Sequence, residues 1–274
     1  MILADQHVHS HHSADCKESM DRIAVCAEEA GLTSLCFTEH NDFDYPPVDN
    51  KDLTPDFFEP DITAYHDEYL SIAARHAGRI DLRFGIELGL QQHVADRNRA
   101  LVSEHPFDLV IASIHVARRR DPYFPSFYEG RTEEEALAVI FEETLENIRL
   151  FDDFDVLGHL DYAVRYLPSR RQRVDLTPYR ENIDEILRLL IRREQALEIN
   201  TQSMWKRQYP ETHPPRAVLA RYHELGGRII TFGSDAHQAD HVGGAFAGAA
   251  AIAREAGFTE YAVYRARRAE FYPL

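Results

Sequence analysis

The stretch ILADQHVHSHHSADC, residues 2–16, decides how the rest of the chain is read. A short apolar run ends in His7-Val8-His9. In an extended strand, residues two apart project from one face, so both imidazoles point the same way. Two readings compete. One is chance on a solvated surface; the other is a metal site whose remaining ligands must appear farther along the chain. Similar runs recur at SLCFTEH (34–40), LRFGIEL (82–88), LVIASIH (109–115), FDVLGH (154–159), ALEIN (196–200) and RIITFGSDAH (228–237). Their length and apolar content read as buried strands.

Between them lie stretches rich in Ala, Leu, Glu and Arg. Residues 19–30 end at Gly31, a helix stop. Residues 133–150, 179–194 and 215–225 read as helices too, the last halted by Gly226-Gly227. Strands alternating with helices predict a parallel α/β architecture in a single domain over 1–274. A closed barrel and an open doubly wound sheet both fit. The tail YRARRAEFYPL (264–274) reads as a terminal hairpin or a docked strand. The insert DNKDLTPDFFEPDITAY (49–65) is a long loop of the kind that covers an active site.

Metal-ligand residue types collect at the ends of these runs. His7 and His9, His40, Glu87, His115, His159, and Asp235 with His237 occupy six of the seven predicted strand ends. Taken singly, His115 or His159 reads as a hydrogen-bonded core histidine, and Asp235 as a helix N-cap. Together they do not, because chance would scatter several onto helix faces. In α/β barrels the C-terminal strand ends carry the active site. His66, His76, His93, His105, His213 and His223 fall in helices or loops and read as surface. His11 and His12 lie nearer the site as possible substrate contacts, His241 on a rim loop, and Cys16 as a packed thiol. The ligand set is nitrogen and oxygen, which suits zinc, manganese or iron without choosing among them. It exceeds the four donors one zinc takes, so it implies several ions. Such sites activate water and clamp oxygens during displacement at phosphorus.

Composition narrows the partners. The chain of 274 residues has 30 basic and 46 acidic residues, a formal charge of −16. That argues against nucleic acid held by basic patches. Three cysteines with no C-x-x-C pair read as reduced thiols of a cytosolic protein. No signal-peptide pattern opens the sequence and no apolar stretch is long enough to span a bilayer. The expected location is cytoplasmic. Oligomeric state is not encoded in any of these patterns.

The motifs His7-Val-His9, Thr38-Glu39-His40, His115 after Ala112-Ser113-Ile114, and Ser234-Asp235-Ala236-His237 appear in order. On these the chain resembles the polymerase-and-histidinol-phosphatase (PHP) superfamily. With DQHVHSHHSADC, CFTEHNDFDYPP, FGIELG, DVLGHLDYAVRY, LEINT, GSDAHQADHVG and FYPL, it is similar to the monofunctional histidinol-phosphatase branch over nearly its whole length. The ligand count by itself calls for two to three divalent ions; the resemblance implies a distorted (β/α)7 TIM-like barrel and a trinuclear metal centre. It implies that His7, His9, Glu87 and Asp235 hold the first ion. Glu87 then bridges to a second, completed by His115 and His159, while Asp15, His40 and His237 hold the third. Many relatives carry histidine where this chain has Asp15. The implied reaction is hydrolysis of L-histidinol phosphate to L-histidinol and phosphate, a step of histidine biosynthesis.

Glu87, Asp235, His237 and Arg165 are the expected catalytic residues. The resemblance puts an arginine at the phosphate, and Arg165 in DYAVRY matches it. On that reading Arg165→Ala weakens turnover and leaves metal content intact. Asp42, Asn200, Gln202 and Ser203 are candidates to read the ammonium and imidazole of histidinol, and Lys206 and Arg207 the phosphate. The proton donor to the leaving group is left open among His40, His237 and Asp235. Two rival readings are a phosphoesterase for another small phosphoester or nucleotide, and a non-catalytic, metal-stabilised binding module of the same fold.

Overall fold

The structure is a computed structural model that describes residues 1–47, 53–171 and 173–274. Seven strands run in chain order: β1 Ala4–Val8, β2 Ser34–Asn41, β3 Asp81–Gly89, β4 Leu109–Ser113, β5 Val156–Leu157, β6 Ala196–Asn200 and β7 Ile230–Gly233. Each is parallel to the next. The sheet closes on itself, because Val8 bridges Ala236, and Asp235 N donates to His7 O at 2.8 Å. That excludes the open sheet, as the strand order does, since a doubly wound sheet reverses direction at a switch point. The architecture is the distorted seven-stranded barrel expected.

Helices α1 Met20–Glu29, α2 Ile62–His76, α3 Ala95–Glu104, α4 Glu133–Leu150, α5 Arg180–Arg193, a short α6 Gln202–Trp205, α7 Arg216–Glu224 and α8 Phe246–Glu255 connect the strands. The main apolar core includes Phe37, Ile86 and Val110 from strands with Ile23, Ile140, Ile186 and Leu219 from helices. Local signals set the helix ends. Thr132 and Glu135 cap α4 reciprocally: Glu135 N donates to Thr132 Oγ1, and Thr132 N donates to Glu135 Oε2.

Four strands, β1, β4, β5 and β7, are shorter than read from sequence, the last two by the most. β5 covers two residues of the expected six, 154–159. Asp155 places its carboxylate on Val110 N at 2.8 Å, and Gly158 fits where a Cβ would meet Ser113 Oγ and Ile111. β7 stops at Gly233, after which Asp235 adopts φ 53° and interrupts the strand, while Ala236 still bridges Val8 in parallel. Aspartate tolerates this left-handed region better than most residues. The loop at 49–65 falls partly outside the described residues; its described part supplies Leu53 and Phe58 to the cavity discussed below.

The tail forms an antiparallel hairpin, β8 Glu260–Arg265 and β9 Arg268–Pro273. Ala262 and Tyr264 enter a second cluster with Cys36, Leu109, Ile111, Val156 and Ala196. Arg267 pairs with Asp155 at 2.7 Å, and Ala266 N donates to Asp108 at 2.8 Å. Asp108 and Asp155 precede β4 and β5, so the hairpin closes the N-terminal end of the barrel. The opposite end is left for the site.

Candidate metal centre

Register brings the ligand types together. His40 on β2 is the Cα partner of Glu87 on β3. His9, His115, His159, Asp235 and His237 follow the last residues of β1, β4, β5 and β7. Glu87 lies at the middle, fully buried. His7 Nε2 is 3.2 Å and His9 Nε2 3.5 Å from Glu87 Oε2, the two nitrogens are 3.1 Å apart, and Asp235 Oδ1 is 3.5 Å from His9 Nε2. On the other carboxylate oxygen, Glu87 Oε1, converge His115 Nε2 at 3.1 Å and His159 Nε2 at 2.9 Å. Asp15 Oδ2 is 3.2 Å from His237 Nε2 and 3.7 Å from His40 Nε2.

These spacings fit metal coordination. Donors about 2.0–2.1 Å from a tetrahedral zinc lie about 3.3 Å from each other. Triads that can hold an ion include His7–His9–Glu87, His9–His40–His237, His7–His159–Asp235 and His40–Asp42–His115. His40 Nδ1 approaches Glu87 Oε2 to 2.9 Å, yet both atoms are buried without a hydrogen-bond partner. They are close enough to pair and misaligned for a hydrogen bond, as two ligands of one cation are.

Electrostatics agree. Burial works against charge on His7, but Glu87, Glu198 and Asp235 outweigh it and hold the imidazole well above its ordinary range. Burial is likewise overcome at His40, pushed up to about 9 by Glu87 and Asp15, and at His115, raised by Asp42 and Glu87. Burial would raise Glu87 and Asp235 too, but the surrounding histidines (and Arg165 for Asp235) hold both well below the carboxylate range. Burial, with His40 and His237 nearby, holds His9 well below its ordinary range, and burial also lowers His159.

Groups behind the ligands fix their orientation. Glu198 Oε1 lies 2.6 Å from His7 Nδ1, and its Oε2 accepts from His159 N at 2.7 Å. Asp42 Oδ1 is 2.9 Å from His115 Nδ1. Glu39 accepts from Ser10 Oγ and Ser13 Oγ, both at 2.6 Å, and Ser13 Oγ faces His9 Nδ1 at 3.2 Å. A nitrogen tied in this way leaves the other free to bind metal. Gly233 is required here, since a Cβ would collide with the Glu198 carboxylate and His7 Cβ. Sequence reading missed Glu198 and the roles of Glu39 and Asp42. One signal for Glu198 was present: β6 is the only predicted strand without a ligand type at its end.

A cavity of about 570 Å³ opens beside the cluster. It is lined by Arg165, Lys206 and Gln202 together with Asp121, Tyr45, Tyr162, Tyr166, Tyr123 and Phe124, and the Arg165 guanidinium lies 5.6 Å from the Tyr162 ring. The Arg165 side chain is buried, only 2% exposed. Its guanidinium donates to Asp235 Oδ2 at 2.9 Å and Asn200 Oδ1 at 2.7 Å, while its buried Nε has no hydrogen-bond partner. Burial pulls the Lys206 ammonium below its ordinary range. Asp121 accepts from Tyr45 Oη at 2.6 Å and Tyr123 N at 2.7 Å, and burial pushes its carboxyl up to about 6.

Several expected contacts lie elsewhere. Ser203 does not line this cavity, because its hydroxyl is spent on His213 Nε2 at 2.8 Å. Asn200 bonds Arg165 and Asp235 from behind the wall. Arg207, at φ 56°, lines a neighbouring cavity with Arg170 and Tyr209. Two histidines read as surface are buried: His76 between Glu28 (2.5 Å) and Asp21 (3.1 Å), and His213 beside Asp161 at 3.0 Å. Cys16 is the packed thiol expected, donating to His9 O and His237 O. Among the described residues, no helix is long and apolar enough to cross a membrane.

Comparison with known proteins places this geometry. The family model described as PHP domain matches residues 5–202. A histidinol-phosphatase of Lactococcus lactis is 32% identical over 266 residues, covering 96% of this chain and 95% of the relative. A crystal structure of histidinol phosphate phosphatase from that organism, complexed with zinc, L-histidinol and phosphate, aligns with TM-score 0.88 at 32% identity over 98% of both chains. A Listeria monocytogenes protein aligns with TM-score 0.75 at 18% identity over 89% of this chain and 99% of its own, a likeness of fold alone.

Proposed function

The chain belongs to the PHP domain family, and we propose that it is a histidinol-phosphatase, hydrolysing L-histidinol phosphate to L-histidinol and phosphate. The full-length likeness to the Lactococcus enzyme supports the substrate. The observation that carries the reading is a single cavity lined both by metal-ligand histidines with Arg165 and Lys206 and by a buried carboxylate, Asp121, among tyrosines. A phosphate needs the first and an ammonium with an imidazole ring suits the second.

We assign His7, His9, Glu87 and Asp235 to one ion, Glu87, His115 and His159 to a second, and Asp15, His40 and His237 to a third. Zinc is the ion of the Lactococcus structure; manganese and iron suit the same donors. When bound, the ions supply an activated water and neutralise charge on the phosphoryl oxygens. The chain's own residues do the rest. Glu198 and Asp42 hold His7 and His115 in the orientation that presents Nε2 to the centre. Arg165 fixes Asp235 Oδ2, so that Oδ1 faces His9 and His237 at 3.5 and 3.6 Å. Its free Nε and the Lys206 ammonium add positive charge where phosphate enters. Asp121, backed by Tyr45, binds the substrate's ammonium, and Tyr162 and Tyr166 offer ring faces to its imidazole.

Phosphate release from L-histidinol phosphate, measured on metal-quantified protein beside other phosphoesters including mononucleotides, tests this. The expected result is a strong preference for histidinol phosphate with two to three ions per chain. Equal turnover of the panel overturns the substrate assignment, and full metal occupancy with no turnover overturns the enzyme.

A further inference from the structure

Two histidines of the opening stretch take no part in this site. His11 and His12 lie on the β1–α1 loop and do not line the catalytic cavity. Both turn instead to Glu68 on α2. His11 Nε2 is 3.2 Å and His12 Nε2 3.0 Å from the same Glu68 Oε2, and the three donor groups lie within 4.8 Å of one another. Two imidazoles converging on one carboxylate oxygen is the arrangement His115 and His159 make at Glu87. The spacing is again that of ligands sharing one ion, about 3.3 Å.

The frame around these groups is built. Glu68 sits about one turn beyond Tyr65 on the same helix face. The Tyr65 hydroxyl donates to Phe37 O and Gly85 O, both at 2.9 Å, which fixes that face against β2 and β3. The His12 ring packs 5.4 Å from the Tyr65 ring. His11 N donates to Glu18 O at 2.8 Å, and Ser10 is bonded to Glu39. Access is open: the side chains of His11, Glu68 and His12 are 40%, 33% and 12% exposed. An ion can enter and keep water in its last position.

We propose that His11, His12 and Glu68 form an accessory divalent-cation site, separate from the catalytic centre, suited to zinc or another ion that favours imidazole. Its occupation ties the β1–α1 loop to α2. That loop carries Asp15, a ligand reaching the centre from a half-exposed position, so the accessory ion steadies Asp15 from outside.

The test uses full-length, metal-loaded protein titrated with zinc alone in equilibrium dialysis, with bound metal counted by mass spectrometry. Wild type binds one equivalent more than the H11Q/H12Q double variant at the same free zinc, and E68Q loses the same equivalent. H93Q, which alters an exposed histidine elsewhere, keeps it. Equal counts in wild type and both site variants overturn the proposal, and so does loss of the equivalent in H93Q. The single carboxylate substitution gives the answer should the double variant fold poorly. Because the readout is a difference in metal count, its failure is separable from failure of the phosphatase reading.

Discussion

Replacing Glu198 with Gln is a sharp test of how this centre is held. The change conserves shape and removes one charge, but the hydrogen bonds cannot be conserved. Glu198 Oε1 meets His7 Nδ1 at 2.6 Å, while Oε2 accepts from His159 N at 2.7 Å and Asn200 Nδ2 at 3.2 Å. A glutamine has one oxygen and one amino group. With its amino group toward His7, Nδ1 must accept, the proton moves to Nε2, and Nε2 no longer binds metal. With its amino group toward His159, two donors face a third in a buried place, and an unsatisfied buried donor costs about 1–3 kcal/mol. Removing a group that orients a metal-bound histidine costs about 10–100-fold in metal affinity, or about 1.4–2.7 kcal/mol. The Glu198→Gln variant is expected to release one class of metal at correspondingly lower chelator concentration, with turnover falling in step. Competition against a chromophoric chelator measures the first and phosphate release the second. Unchanged metal affinity with a folded variant would refute the argument that Glu198 sets the His7 tautomer.

Three further outcomes follow from the geometry. Asp121→Asn is expected to raise KM for histidinol phosphate about 10-fold or more, by the cost of losing a charged partner, while leaving a phosphoester without an ammonium unaffected. In wild type, KM should rise as pH falls through about 6, where the Asp121 carboxylate becomes protonated; an identical pH profile in the variant sinks the assignment. Arg165→Ala is expected to cost about 10²-fold in kcat/KM. Because Arg165 also holds Asp235 at 2.9 Å, metal content should fall too, which revises the sequence-based expectation of intact metal; a metal-to-protein ratio decides. Tyr264→Ala, at the opposite barrel end, is expected to cost about 3–5 kcal/mol of stability as a large core truncation, read from denaturant midpoints, with KM unchanged.

What was legible in the sequence has a physical cause. In a parallel barrel the strand direction is shared, so every C-terminal strand end reaches the same mouth. A residue type at the end of an apolar run therefore reports on three dimensions, and His7, His9, His40, Glu87, His115, His159, Asp235 and His237 converge as that rule requires. Residues that orient the ligands obey no such rule. Glu198 lies inside β6, where its neighbours' apolar character says only that the strand is buried. His76 and His213 looked exposed because their elements are polar, but the carboxylates that bury them come from distant segments, Asp21 and Glu28 for one and Asp161 for the other.

The run from Asn200 to Arg207 shows where such reading stops. Asn200, Gln202, Ser203, Lys206 and Arg207 were all plausible substrate contacts by type. β6 ends at Asn200, which pairs with His213 across an isolated bridge, and a short helix begins at Gln202. Successive helical residues point about 100° apart. Gln202 consequently faces the cavity while Ser203 faces His213, and Lys206 returns to the cavity wall one turn later. Arg207 then leaves helical geometry at φ 56° and is directed into the neighbouring cavity. Which member of the run meets substrate depends on the residue at which the strand ends and the helix begins, and a shift of one position exchanges Gln202 for Ser203. The composition of the run is insensitive to that shift. For this reason the ligands can be read from residue type and strand polarity, whereas the wall that selects the substrate is decided by local backbone termination and emerges only with the fold.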